Sequence, residues 1–491
     1  MTDYFEAAPS AASMIEGLRD FGYTLQTAIA DIVDNSITYG ASQIDIRMKL
    51  IDGVATFAIA DNGDGMSEAE LQIAMQPGSK SPLDKRPIND LGRFGLGLKT
   101  ASFSQARQLI VVARMDSETV AYEWDLDYVQ QIDKWLIRKV PVVSDLQFIE
   151  LLDQSHGTLV IWQKVDRLGH GPGEPVLQDT FDRAIKTIHE HLGVVFHRFI
   201  DGTSFSKRKI RISLNNLEIQ SKNPFNAASL KTTSDAPDTI TYGKAGHSVK
   251  VQAFTLPHPR SVNENEWRKY EGEKGYDGSQ GFYLYRSDRL IVAGDWFRII
   301  PKSPSTKLLR VSLDISNQCD ADWQINVLKA HAQPPISIRR ELSKRLENWT
   351  TAARRPYVGR GRPLPVAQKF VFWNRQVEER EIRYKIDLGN PAIQSLKSKL
   401  NKDLQVEFEN VLEYISSSVP YDSIFVDLSD NHGHVSYSNA NTEQLLGLAR
   451  IITESIRSQS PDVTLEQIRE TLRVLPIFAN HEEIIDSYEG N

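Results

Sequence analysis

From Thr24 to Tyr39, apolar side chains fall at Leu25, Ile29, Ile32 and Val33, the stripe of an amphipathic helix. The period then drops to two. Gln43–Leu50 and Val54–Ala60 alternate around an Asp52-Gly53 turn, which predicts a β-hairpin. Ser67-Glu68-Ala69-Glu70 is a capping box that starts another helix. The run from Gly78 to Pro87 is rich in Ser, Lys and Pro and predicts a loop before helical residues resume near Leu98. Thr180–Ile200 reads as one amphipathic helix. Lys209–Leu214 and Leu217–Gln220 flank an Asn215-Asn216 turn, and strand patterns follow at Val249–Leu256, Gly281–Tyr285, Arg289–Ala293 and Leu308–Ser316. This alternation predicts a second α/β domain.

The last third has a different texture. Arg354-Arg355-Pro356-Tyr357-Val358-Gly359-Arg360-Gly361-Arg362-Pro363 is a Pro/Gly-punctuated basic linker, preceded by a helix bearing Arg339, Arg340, Lys344 and Arg345. Beyond it, one long helix is expected from Asn390-Pro391 through Ser417. Helices are also expected over Thr442–Ser458 and Thr464–Val474, the latter opened by a Thr464/Gln467 cap box. A short strand, Ser423–Leu428, is expected to pair with Val435-Ser436-Tyr437. His432 and His434 lie in the turn between them, where a histidine pair is more often solvated than metal-bound. This part carries no catalytic signature.

Three polar segments interrupt the pattern in the first 100 residues. Asp31 and Asn35 lie one helical turn apart on one face. An amide oxygen can ligate Mg²⁺, which binds few protein groups and keeps several waters. A carboxylate one turn away can polarise an attacking water. Asp61 ends a strand at a tight turn, Asp61-Asn62-Gly63-Asp64-Gly65-Met66, where a carboxylate can accept a bond from an exocyclic amine and glycines let backbone approach a flat base. Gly92-Arg93-Phe94-Gly95-Leu96-Gly97-Leu98-Lys99-Thr100 is a glycine loop running into a helix, which suits phosphate oxygens. It is not a Walker A loop. Each segment alone reads equally well as ordinary helix, turn or loop.

Together, and in this order, they resemble the boxes of the gyrase, heat-shock-chaperone, histidine-kinase and MutL (GHKL) ATPases. Ala30–Ser36 resembles the N-box, Asp61-x-Gly63-x-Gly65-Met66 the adenine box, and Gly92–Ser102 the lid box. Gly157-Thr158-Leu159-Val160-Ile161-Trp162 is similar to the strand whose threonine helps hold adenine. The Tyr285–Ile291 and Asn326–Lys329 segments resemble the transducer domain of MutL, gyrase and MORC proteins, and MORC-like ATPases are the nearest subgroup over about residues 10–340.

The resemblance implies an α+β fold in four parts. A GHKL (Bergerat) ATP-binding α/β sandwich spans 1–168, a transducer-like α/β domain 169–340, a basic helix and linker 341–363, and a mainly helical C-terminal domain 364–491. It implies ATP and Mg²⁺ as ligands. Asp61 reads adenine with Gly63, Gly65, Met66 and Thr158. Asn35 holds the metal, and residues Gly92, Arg93, Phe94, Gly95, Leu96, Gly97, Leu98, Lys99 and Thr100 wrap the phosphates. Asp31 acts as base and Lys329 senses the γ-phosphate. The family base is usually glutamate; Asp31 is one methylene shorter, placing its carboxylate roughly 1.5 Å back. Asp34 is the other acidic candidate, but it points about 100° away from Asn35 around the helix.

Composition sets the remaining limits. The 491 residues are 40% hydrophobic and 25% charged, enough for several full cores. The single cysteine, Cys319, rules out an internal disulfide framework and cysteine-rich zinc modules. An acidic start and the lack of a long apolar run predict a cytoplasmic chain with no membrane span. A net charge of −7 argues against the whole molecule being an electrostatic DNA binder and leaves only the local basic region. The family likeness implies an ATP-dependent homodimer that clamps duplex DNA, in a DNA-processing or antiviral defence system with restriction-type components. The alternatives are a chaperone-like ATPase acting on protein clients and a slow-turnover assembly scaffold.

Overall fold

The computed structural model describes residues 9–79, 90–92, 97–152, 155–169, 174–204, 207–244, 246–258, 261–272, 274–325, 332–354, 372–378, 381–421, 423–424, 441–459, 461–478 and 481–490. They form two compact units, divided between Tyr357 and Val358.

The first unit opens with α1 (Ala11–Arg19) and α2 (Leu25–Thr38), then the hairpin β1 (Gln43–Ile51) and β2 (Val54–Asp61). Thr24 caps α2 reciprocally with Thr27, which sets the entry to the helix. After α3 (Glu68–Met75) and α4 (Gly97–Phe103) come β3 (Ala106–Met115), β4 (Glu118–Asp125), α5 (Leu126–Ile132), β5 (Arg138–Lys139) and β6 (Gly157–Val165). Helices α6 (Gln178–Val195) and α7 (His197–Ile200) lead to β7 (Arg211–Leu214) and β8 (Leu217–Glu218). The strands make one sheet in the order β5-β4-β3-β6-β2-β1-β7-β8, antiparallel except where β7 runs parallel to β1.

Alternation along β2 decides which layer each side chain enters. Phe57 and Ile59 pack with Ile29, Val33 and Leu192 under the helices. Ala58 and Ala60 face the other way, where Phe148 and Leu152 close the opposite face. Both faces of the central strands are therefore dry.

A second sheet follows, in the order β10-β11-β14-β12-β13, with β9 attached to β11. Its strands are β9 (Thr233–Ser234), β10 (Asp238–Tyr242), β11 (His247–Thr255), β12 (Gly281–Arg286), β13 (Arg289–Asp295) and β14 (Leu309–Ile315); short helices α8 (Glu264–Lys269) and α9 (Gly275–Ser279) interrupt it. One face packs on α10 (Ile336–Arg354) through Ile338, Leu342 and Leu346. The other face presents Tyr283, Tyr285 and Leu290 to Val194 of α6. Since Ile188 and Leu192 of the same helix belong to the first core, α6 is shared by both sheets.

The second unit holds a hairpin, β15 (Trp373–Glu378) with β16 (Glu381–Ile386), and helices α11 (Pro391–Ser398), α12 (Lys402–Ser417), α13 (Thr442–Gln459), α14 (Leu465–Val474) and α15 (Glu482–Ser487). Leu445, Ala449, Ile452, Ile468, Leu472 and Phe478 form its core. No helix among the described residues is long and apolar enough to cross a membrane.

Four expectations change. The helix over Thr180–Ile200 breaks at Phe196 (φ −105°, ψ 15°), where the turn keeps both Phe196 and Phe199 in the core. The hairpin after Lys209, expected in the second domain, hydrogen-bonds to β1 and completes the first sheet. The long helix from Pro391 divides because Asn401 caps a new one, its side chain accepting from the Leu404 N–H at 2.9 Å. Ser423 and Ile424 are helical rather than strand; the rest of that expected strand, Val435–Tyr437, His432 and His434 lie outside the described residues, as does most of the basic linker.

Candidate nucleotide site

The polar segments of the first sheet converge on a cavity of about 450 Å³, lined among others by Ile32, Asn35, Ser36, Tyr39, Asp61, Gly65, Met66, Leu98 and Thr158. That volume lies within the about 300–1,000 Å³ of small-molecule sites. Its walls mix apolar side chains able to sandwich a flat base with a few fixed polar groups.

Asp61 is the best-defined of these. Its Oδ2 accepts from the Ser36 hydroxyl at 2.8 Å and its Oδ1 from the Gly63 N–H at 2.9 Å. The Thr158 N–H, on the adjacent strand β6, adds a third bond. Burial raises the Asp61 pKa above the ordinary carboxylate value, and these three donors pull it back. The carboxylate is thus oriented, with acceptor capacity left for a base amine. The sequence carries no signal for this role of Ser36, although it directly follows Asn35.

The turn around Asp61 has no room for side chains. At Gly65 (φ +70°) a Cβ would lie 2.0 Å from the Arg114 carbonyl oxygen, and at Gly157 (φ +145°) 2.2 Å from that of Asp61. Asn62 pins the turn from outside, accepting from the Ser42 and Gln43 N–H groups at 2.8 Å each.

On α2, Asn35 faces the cavity beside Ile32 and Ser36. Asp31 is buried one turn earlier, beneath the start of α4, where a Cβ on Gly97 would lie 3.6 Å from its Oδ2. The Tyr23 hydroxyl donates to Asp31 Oδ2 at 2.7 Å. Asp34 is fully buried and paired with Arg289 of β13, whose Nε lies 2.8 Å from Oδ2 and 3.0 Å from Oδ1. Arg289 carries no local sequence signal because it reaches the helix from a segment 255 residues away, and Tyr23, just before the Thr24 cap, shows none in the pattern of α2.

The glycine-loop residues divide. Gly97 begins α4 and Leu98 lines the cavity. Lys99 is buried and donates to the Ala74 carbonyl at 2.8 Å, tying α4 to the end of α3. Thr100 is fully buried and hydrogen-bonds Tyr23. The Gly92 N–H donates to Asp90 Oδ1 at 2.7 Å. Arg93, Phe94, Gly95, Leu96 and Lys329 lie outside the described residues.

Residues 23–158 match the family described as histidine kinase-, DNA gyrase B- and HSP90-like ATPase, a span that holds both the cavity and the pinned carboxylate. The chain carries a GHKL-type ATPase domain. Within the GHKL group it is similar to DNA mismatch repair protein MutL: 29% identity over 129 residues with the protein of Shewanella oneidensis, and 27% over 108 residues with that of Herminiimonas arsenicoxydans. A third MutL, from a Bradyrhizobium species, is 31% identical over 104 residues. These alignments cover 26%, 22% and 21% of this chain and 20%, 17% and 16% of the respective relatives, so the chain matches only about a fifth or less of each relative's length.

Proposed function

We propose that this chain is a Mg²⁺-dependent ATPase whose nucleotide drives closure of two copies on duplex DNA. The oriented Asp61 carboxylate at the floor of the cavity is the observation that carries the nucleotide reading. Asp61 accepts from the adenine amine, Thr158 flanks it, and Ile32, Met66 and Leu98 cover the ring. Asn35 is the chain's ligand for Mg²⁺, which neutralises phosphate charge when bound. Asp31 takes the proton from the attacking water as its oxygen bonds to the γ-phosphorus and the bond to the bridging oxygen breaks, giving ADP and phosphate. Asp31 lies beneath Gly97 at the start of α4, whereas Asp34 is turned to Arg289 of the second sheet, and this favours Asp31 as the base.

Calorimetry and turnover assays separate these roles. Asp61→Asn is expected to weaken ATP binding roughly 100-fold, because the amide has the wrong pattern for adenine and loses charge-assisted bonds. Asp31→Asn should bind ATP normally and hydrolyse it about 100-fold more slowly. Asn35→Ala should weaken Mg-ATP specifically. Near-native affinity in Asp61→Asn would remove the adenine role.

The DNA part rests on the MutL likeness and the basic stretch from Arg339 to Arg362. Within that stretch, Arg345 is engaged by Asp238 at 2.8 Å and Lys344 by Glu341 at 2.8 Å, so Arg339, Arg340 and the linker arginines are the candidates for phosphate contact. Contacts are expected at phosphates, without strong sequence preference. Replacing Arg354 and Arg355 with alanine should reduce the salt slope of binding by about 2 units. Failure of duplex DNA to bind with or without an ATP analogue, or a mass independent of nucleotide, removes the clamp and leaves a chaperone or scaffold role.

A further inference from the structure

Asp31 is short for a GHKL base, so whatever sets its carboxylate position matters more than it would for a glutamate. Two side chains grip it from outside its own helix. On one oxygen, Oδ2, the Tyr23 hydroxyl donates at 2.7 Å. Near the other, Oδ1, an Arg289 guanidinium nitrogen lies at 3.7 Å. Both Asp31 and Arg289 are almost fully buried, at 2% and 4% side-chain exposure, so neither contact is screened by bulk water.

The two grips have different origins. Tyr23 lies in the α1–α2 connection and is also bonded by Thr100 of α4, at the end of the glycine loop. Arg289 comes from β13 of the second sheet and spans Asp31 and Asp34 with one planar group. The rigid planar fork fixes the direction of both pairings, which the freely rotating donors of an ammonium do not. Burial, and next the Asp31 charge, push the Tyr23 hydroxyl well above its ordinary pKa, so it remains a donor.

We propose that Tyr23 and Arg289 are positioning residues that together hold Asp31 at its reacting geometry, and that Arg289 thereby makes hydrolysis depend on the docking of the second sheet. This rests on Asp31 being the base. A carboxylate bonded on one oxygen by a phenol, with a guanidinium charge 3.7 Å from the other, is biased toward one orientation beneath the first residue of α4. Loss of either grip lets a short side chain rotate, and a misplacement of about 1 Å can cost about 100-fold in rate.

The test uses the full chain with Tyr23→Phe, Arg289→Lys and Asp31→Asn. Tyr23→Phe removes only a hydroxyl, and Arg289→Lys keeps a cation beside buried Asp34 while losing the fork. Each is expected to lower kcat at least about tenfold, with KM and affinity for a non-hydrolysable ATP analogue within about threefold of wild type. A readout without turnover is the thermal midpoint. The loss caused by Tyr23→Phe together with Asp31→Asn should fall short of the sum of the single losses, because the two share one bond.

Strictly additive midpoints overturn the Tyr23 grip, and an unchanged kcat in Arg289→Lys overturns the link to the second sheet. Analogue affinity that falls in step with kcat assigns both residues a merely structural role and overturns the proposal. Turnover that survives Asp31→Asn, or is absent in wild type while the analogue binds, sinks the base assignment and the positioning idea with it. Turnover abolished by Asp31→Asn yet untouched in both other variants sinks the positioning idea alone.

Discussion

Asp61 and Asn35 both line the cavity, and their placement was legible in the sequence because it is local: an acid at a strand end before a glycine turn, and an amide on a helix face. The donors that orient Asp61 were only partly legible. Ser36 adjoins a recognised residue, but nothing in its neighbourhood reveals that its hydroxyl reaches Asp61 at 2.8 Å. Lys99 has a partner that its sequence neighbourhood does not reveal. A lysine in a glycine loop reads as a phosphate ligand, yet its ammonium meets the Ala74 carbonyl at the end of α3. Arg289 also shapes the titration of a neighbour. Burial, and next the Arg289 charge, hold His191 down at about 4 against an ordinary 6.5. Above pH 6.5 this histidine is neutral in folded and unfolded chains alike. Between 6.5 and about 4 the unfolded chain binds a proton that the folded chain refuses, so stability falls as pH is lowered. Denaturant titrations from pH 7 to 4 should show this fall, and His191→Gln should flatten it.

At the scale of elements, period was the reliable signal. The stripe of α2, the alternation of β1 and β2, and the cap box of α3 were all readable because each depends on residues within one or two turns. Boundaries set by a single cap or by distant packing were not. The break at Phe196 follows from burial of two phenylalanines, which periodicity alone cannot see. The first strand of hairpin β15–β16 has no clear alternation in the sequence, because it lies next to the linker and carries Arg, Gln and Glu among its apolar residues. The division between α11 and α12 turns on Asn401. Asn401→Ala should destabilise the second unit by about 1 kcal/mol, the usual worth of such a cap. Differential scanning calorimetry should place that loss in the transition of residues 358–491 and leave the other unchanged.

For the whole molecule, the two-sheet plan was foreseen, but the manner of joining was not. Besides α6 and Arg289, the β12–β13 hairpin sends Arg286 to the carbonyls of Asp90 and Leu91, at 3.1 and 3.0 Å, beside the entry to the glycine loop. Asp320 holds that guanidinium through two bonds, at 2.6 and 2.7 Å. Arg198 of α7 adds an ion pair to Asp288 at 3.2 Å. Such joints bring together segments from 90 to 196 residues apart, and sequence patterns carry no record of them. The nucleotide cavity lies wholly within the first unit. A fragment of residues 1–357 is therefore expected to bind an ATP analogue within about threefold of the full chain's affinity, a difference under 1 kcal/mol. A fragment ending at residue 168 should not, since it lacks β7, α6 and Arg289. Calorimetry on both fragments checks this, and a binding-competent short fragment would show that the joint is dispensable.

The parallel pairing of Gln43–Ile46 with Arg211–Leu214 also has a consequence for synthesis on the ribosome. Strand β1 is made early and pairs at once with β2 on one side. Its other side keeps its amides and carbonyls bare until the residues of β7 have cleared the exit tunnel. At about 5–20 residues per second, that interval lasts roughly 10–30 s. Throughout it the nascent chain displays an unpaired strand edge, the kind of template on which chains cross-pair. Faster translation shortens that exposure, so the pairing of β1 with β7 ties the cross-pairing hazard to the pace of synthesis.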